Sequence, residues 1–180
     1  GGVDAGSARV FLRAGTTWAQ EATLLAPDGT TSDAFGGTVA VSSDGTRAIV
    51  GAYRDDTVGG MDAGSARVFL RTGTTWAQEA VLVAPDGADA DEFGASVALS
   101  SDGTRALAGV RLDNSGSIDD GSARMFLRTG TSWAQEATLL PPDFGSNQQF
   151  GGSVALSADG SRAVVGMHQD ATAAGAGAGS

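Results

Sequence analysis

Apolar positions in this chain fall into four short runs that return in the same order along its length. In Thr38–Ser42, Val39 and Val41 alternate with small residues, the period-two pattern of a strand. Asp44-Gly45 follows, and Asp-Gly is a strong hairpin signal because its central residues tolerate positive φ. The second run, Arg47–Gly51, is apolar after its Arg, which suits a strand covered on both faces. The third, Ala66–Arg71, holds Val68, Phe69 and Leu70 in succession, so both of its faces are apolar as well. Thr72–Thr75 turns the chain, and Trp76–Val83 forms the fourth run. The Trp run has a superficial helical look, but its Thr-rich entry follows a strand and a turn, and a strand is predicted. No stretch shows an apolar helical stripe with caps. The pattern predicts an all-β chain.

The runs belong to a repeat. FGGTVAVSSDGTRAIVG from Phe35 returns as FGASVALSSDGTRALAG from Phe93 and FGGSVALSADGSRAVVG from Phe150. GSARVFLRAGTTWAQEATLLAPD from Gly6 returns from Gly64 and Gly121. Trp18, Trp76 and Trp133 are 58 and 57 positions apart, as are Phe35, Phe93 and Phe150. That period is too long for ankyrin, tetratricopeptide or leucine-rich repeats, and fits a four-stranded propeller blade with long loops. The fold expected is a β-propeller segment of four-stranded antiparallel blades, read as one domain over 1–180 with repeats 6–63, 64–120 and 121–178. GGVDAGS at Gly1 matches GGMDAGS at Gly59, and Gly166–Ser180 aligns with Gly51–Ser65, so both ends fall in the same inter-strand loop. This predicts two complete blades with a half blade at each end. The preferred reading is a segment of a larger propeller, with neighbouring blades supplied by a longer parent chain. The other is a three-repeat chain that closes by oligomerising, two copies making a six-bladed ring. Left alone, the open strand edges predict a tendency to aggregate.

Composition narrows the partners. Hydrophobic content of 41% supports a packed core, and a formal charge of −10 disfavours nucleic acid and anionic lipid. All 11 basic residues are Arg. Cys is absent, which removes disulfides and thiolate chemistry. No apolar run is long enough to insert in a membrane as a helix. Trp18, Trp76 and Trp133 read as packing residues wedged between blades, given their near-identical contexts. Arg13, Arg71 and Arg128 are expected to lie across from those Trp residues, with a cation–π or cross-strand contact. Arg9, Arg67 and Arg124 are read either as partners of Glu21, Glu79 and Glu136 or as solvated.

Phe-Gly, a strand, a turn, a strand ending in Gly-Ala, then Gly-Ser-x-x-Val-Phe and a Trp strand resembles the FG-GAP repeat. The resemblance rests on Phe35-Gly36, Phe93-Gly94, Phe150-Gly151 and Gly51-Ala52. It implies the propeller found at the head of integrin α subunits and in bacterial secreted and surface proteins, hence an extracellular or cell-surface setting. The Pro that often follows Gly-Ala in that family is missing at Tyr53, Arg111 and His168. The family's Ca²⁺ loops alternate Asp or Asn, whereas Ser42-Ser43-Asp44-Gly45 offers one carboxylate against the 6–8 oxygens Ca²⁺ takes. No metal and no cofactor are expected.

No catalytic set assembles around His168, the one His, which is expected to be solvated. What varies between copies is two loop types, one after the second strand and one before Phe-Gly. In an antiparallel blade both open on the same rim. They carry Tyr53, Arg54, Asp55, Asp56 and Asp62, then Asp89, Asp91 and Glu92, then Arg111, Asp113, Asn114, Asp119 and Asp120. Uniform strands with divergent loops on one side predict a non-enzymatic scaffold that displays a binding surface to a protein or glycan. Two alternatives stay open: a fragment of, or accessory to, a propeller hydrolase or lyase, and spacer blades with no ligand.

Overall fold

The computed structural model describes residues 4–143 and 145–169. The predicted strands are there, with bounds moved by one or two residues. Strands β1 (Ala8–Ala14) and β2 (Thr17–Leu24) form a two-stranded sheet. Strands β3 (Thr38–Val41), β4 (Arg47–Ala52), β5 (Ser65–Thr72) and β6 (Thr75–Leu82) form a four-stranded antiparallel sheet in sequence order. Strands β7 (Phe93–Leu99), β8 (Arg105–Val110), β9 (Ser122–Thr129) and β10 (Ser132–Leu139) repeat it. Strands β11 (Ser153–Leu156) and β12 (Ala163–Gly166) close the described part as a second two-stranded sheet. This is the expected pattern of two full blades between two halves. The Trp-bearing segments are strands, and no helix occurs among the described residues. The reading of the last residues as a truncated loop lies outside the described residues.

The blades lean face to face. In the last two sheets the first strand rests on the first two strands of the sheet before it, β7 on β3 and β4, then β11 on β7 and β8. The core is therefore a series of seams. One holds Leu24, Phe35, Val50 and Phe69, the next Ile49, Val68, Phe93, Val97 and Phe126. Phe35 meets Phe69 edge-on at 6.1 Å between ring centroids, and Phe93 meets Phe126 at 5.9 Å. A third seam joins Leu107 and Met125 to Phe150, Val154 and Val165.

This packing explains the Phe-Gly signature. Phe93 fills a seam, and Gly94 lets two backbones meet: its φ is +85°, and a Cβ there would lie 2.4 Å from the Ser65 carbonyl oxygen. Gly51, the glycine near the end of β4, faces the same crossing, where a Cβ would sit 2.2 Å from the Gly94 carbonyl oxygen. The hydroxyl of Thr38 donates to that oxygen at 2.8 Å. Ser96 does the same to Gly151 at 2.7 Å, one blade later.

The consecutive apolar residues of the third strand face opposite seams, Val68 one and Phe69 the other, and the irregularity of this hairpin lies on the fourth strand. Register shifts between Val68 and Phe69, where Val68 faces Ala80 and Phe69 faces Gln78, so Glu79 is bulged out. Glu21 and Glu136 are bulged in the same way. A bulge re-aims a side chain, and here it turns each Glu away from the Arg that the sequence pairing assigned to it. Glu21 takes the Arg71 guanidinium and, at 3.0 Å, the Trp76 indole N–H, both from the next blade. Glu79 takes Arg47 at 3.0 and 3.1 Å and the Trp133 indole at 3.3 Å. Arg71 and Arg128 do lie across from Trp76 and Trp133, but Arg71 is occupied by Glu21. The Trp residues mark the seams: Trp76 and Trp133 are half-buried, while Trp18 is 65% exposed.

Candidate functional site

The loops after β4 and β8 and the loops before β7 and β11 meet on one rim. They are locked to each other by backbone hydrogen bonds that repeat from blade to blade. Ala90 N–H donates to the Met61 carbonyl at 2.8 Å, Glu92 N–H to Asp62 at 3.2 Å and Phe93 N–H to Ala63 at 2.9 Å. One blade on, Asn147 N–H donates to Ile118 at 2.7 Å, Gln149 to Asp119 at 3.1 Å and Phe150 to Asp120 at 2.8 Å. The backbone repeats where the side chains do not: Asp62 and Asp119 share positive φ, as do Glu92 and Gln149. The variable loops therefore form one continuous, fixed rim.

The structure divides the sequence-predicted site residues into two groups. Asp55, Asp91, Glu92, Asp113 and Asp120 are buried and work inside the rim rather than on its surface. Asp55 accepts from Ser65 Oγ at 2.5 Å and from Arg67 at 2.8 Å. Asp113 accepts from Arg124 at 2.7 Å and from the hydroxyls of Ser115 and Ser122. Arg67 and Arg124 thus correct the sequence expectation: their side chains are 2% and 5% exposed, and they are neither solvated nor paired with the bulged Glu residues. Each guanidinium also reaches an exposed acid on the blade before it, Asp28 at 2.8 Å for Arg67 and Asp86 at 3.1 Å for Arg124. A buried guanidinium needs such anchoring, because an unpaired charge in the interior is costly. Glu92 holds Arg111, and Asp91 accepts the Ala88 N–H at 2.7 Å. Burial pushes the Asp91 carboxyl above the usual carboxylate range.

Arg54, Asp56, Asp89 and Asn114 are exposed, and Asp62 and Asp119 lie on the rim beside them. Their side chains mostly shape the rim: Asp89 accepts the Met61 N–H at 2.9 Å, Asp56 the Asp62 N–H at 3.0 Å, and Asn114 the Asp119 N–H at 2.9 Å. Tyr53 lies between Arg54 and Arg111, whose guanidinium carbons stand 5.5 and 5.8 Å from its ring centroid. The Arg111 contact joins the loops of two blades.

Reading the loops for their acids missed their apolar tips. Val58 is fully exposed, Met61 is 65% exposed and Ile118 67%. The available signal was an aliphatic residue inside a Gly- and Asp-rich loop with no strand periodicity to bury it. On the opposite rim, the hairpin carboxylates are spent on their own turns. Asp44 accepts from Ser42 Oγ at 2.7 Å and from Thr46 N–H at 2.9 Å. Asp102 and Asp159 do likewise and are held at about 2, chiefly by Ser100 and Ser157. No group of three acids or His is arranged to hold a metal ion among the described residues. His168 is exposed beside Gln169.

The sequence model of the FG-GAP repeat matches this chain three times, over residues 18–69, 76–126 and 133–180. The chain belongs to the FG-GAP repeat family. The three matches begin at Trp18, Trp76 and Trp133, the residues that mark the seams. Curated proteins give no significant match. Within the family signature, each repeated residue has a mechanical role. Phe fills the seam, and the two Gly residues permit the crossing.

Proposed function

We propose that this FG-GAP segment is a non-enzymatic scaffold that binds a protein partner through its loop rim, at the cell surface or outside the cell. The observation that carries the reading is the exposure of Val58, Met61 and Ile118 on loops held rigid by repeated backbone hydrogen bonds. Exposed aliphatic side chains on a pre-ordered polar rim suit a protein interface, where an apolar centre is ringed by polar groups. Rigid loops also avoid the ordering cost that flexible ones incur on binding. Arg54 and Asp56, beside Val58, supply the polar fringe. The extracellular setting rests on the resemblance to secreted and surface arrays.

The test is capture from an extracellular protein fraction by the immobilised chain, compared with the triple variant Val58→Asp, Met61→Asp, Ile118→Asp. All three positions are exposed, so the variant keeps the fold. A partner held by the parent and lost by the variant supports the reading. Equal capture by both, or binding on a glycan array with no protein captured, refutes it.

A further inference from the structure

A notch of about 570 Å³ lies beside the rim, between the β1–β2 sheet and the β3–β6 blade. Val58, Val81 and Val83 give it an apolar lining, and Asp28, Asp56 and Arg67 a polar one. Asp28 follows β2, and the other five belong to the β3–β6 blade and its loops. On the reading of the rim as a protein-binding surface, we infer that this notch receives a lysine or arginine side chain of the partner. The aliphatic stem lies on the valines, and the charged head is held by Asp28 and Asp56.

Three departures from the repeat meet at this notch. In the next seam, between the two full blades, the counterpart of Val81 is Thr138, whose hydroxyl accepts from Arg124 at 2.7 Å. Val81 offers Arg67 no such acceptor, and it stays 43% exposed. Where the loop after β4 carries Val58, Gly59 and Gly60, the loop after β8 has only Gly116 and Ser117, so no aliphatic side chain stands there. The counterpart of Asp56 is Asn114. Asp56 accepts the Asp62 N–H at 3.0 Å, and Asn114 accepts the Asp119 N–H at 2.9 Å. Holding the loop therefore needs only an amide oxygen, and the charge of Asp56 is surplus to the fold.

The lining selects the occupant. Three carboxylates, those of Asp28, Asp55 and Asp56, face one guanidinium there, which leaves two negative charges in excess. The buried Asp55 holds Arg67 at 2.8 Å from within. Asp28 gives one oxygen to Arg67 at 2.8 Å, yet its side chain is 70% exposed. Asp86, its counterpart between the two full blades, is 65% exposed, so this openness belongs to the position in the repeat. An anion is repelled by such a lining. A purely aliphatic group covers the valines but takes water from the carboxylates without replacing it. A side chain with an apolar stem and a cationic tip meets both demands, since its head makes charge-assisted hydrogen bonds.

The experiment titrates the 180-residue chain with the methylamides of Nα-acetyl-lysine, Nα-acetyl-arginine and uncharged Nα-acetyl-norleucine, at fixed ionic strength, and follows the valine methyl signals by NMR. At least one charged probe is expected to shift the Val58, Val81 and Val83 signals to saturation. The norleucine probe is expected to bind at least about tenfold more weakly, since it pairs with neither carboxylate. Asp56→Asn is expected to weaken the charged probe about fivefold and Val81→Thr about threefold. The next blade carries these same residues as Asn114 and Thr138, so both variants keep the fold. Neither touches Val58, Met61 or Ile118. Loss of probe binding therefore leaves capture through the apolar tips to be judged by itself, and failure of that capture leaves the probe result standing. n-Pentylamine and agmatine represent the other occupant, a free amine. The proposal is overturned by norleucine binding as tightly as the charged probes, or by a double variant that binds like the parent. Shifts confined to other valines, or a free amine binding more than about tenfold tighter than the charged probes, overturn it equally.

Discussion

Asp113→Ala leaves the Arg124 guanidinium in the interior with its main counter-charge gone. The side chains of Arg124 and Asp113 are 5% and 12% exposed, and their contact is 2.7 Å. Removing one partner of a buried pair costs about 3–5 kcal/mol. Asp86 remains 3.1 Å away, but its side chain is 65% exposed and offsets little of the loss. Ser122 also loses an acceptor. The expected cost is about 3 kcal/mol, or roughly 6–12 °C in Tm for a chain of this size. Asp86→Ala should cost under about 1 kcal/mol. The deciding variant is Asp113→Ala with Arg124→Met, in which no charge is stranded. It should recover about 2 kcal/mol of the single-mutant loss, because replacing both members of a buried pair by apolar groups is often close to neutral. The assay is urea unfolding at one fixed protein concentration, since association shifts apparent stability. A single variant costing under about 1 kcal/mol, or a double variant no better than the single, refutes the claim that Asp113 anchors the rim through a buried charge.

Two further outcomes follow from the geometry. Gly94→Ala places a Cβ 2.4 Å from the Ser65 carbonyl oxygen at positive φ, whereas Gly73→Ala at φ +64° meets nothing within 4 Å. Gly73→Ala should cost about 1 kcal/mol for its backbone angle, and Gly94→Ala at least twice that, measured by urea unfolding; equal costs would contradict the tight crossing. Acid should weaken the fold. The Arg71 guanidinium and then the Trp76 indole hold Glu21 at about 2, and hydroxyl and N–H donors hold Asp102 and Asp159 at about 2. Groups with lowered values stabilise the fold fully above the ordinary carboxylate pKa of about 4, and that contribution disappears as pH falls toward 2. Asp91, raised by burial, acts in the opposite sense and blunts the loss. Tm should be level from pH 7 to about 5 and fall below about 4.5; a Tm unchanged at pH 2 would show that these carboxylates contribute nothing.

The blades were legible in the sequence because three copies repeat one pattern. Strand, Asp-Gly turn and apolar run recur in register, so ambiguity in one copy is resolved by the others. The place of Phe-Gly was legible for the same reason. Its cause was not, because the contact that demands glycine at Gly94 is with Ser65 on another strand of the neighbouring blade. The ion pairs were misread because the bulges at Glu21, Glu79 and Glu136 break the simple cross-strand count. A mid-strand Arg between Ala66 and Val68 was the available hint of a buried guanidinium. Among the loop acids, composition could not separate Asp55 and Asp113, which hold the rim from inside, from Asp56 and Asp89, which face solvent. That distinction depends on where Arg67 and Arg124 point.

The account depends on successive sheets leaning against each other so that equivalent hairpins touch. Ser43 and Ser101 occupy the same place in successive copies, and their hydroxyls are hydrogen-bonded at 2.7 Å. The chain has no native cysteine. Ser43→Cys with Ser101→Cys therefore gives a clean test by mild oxidation and mass spectrometry of the monomer fraction. The account predicts one intramolecular disulfide in nearly every molecule. Two free thiols after oxidation would contradict it, as a single flat sheet would hold those positions about four strand spacings, roughly 19 Å, apart.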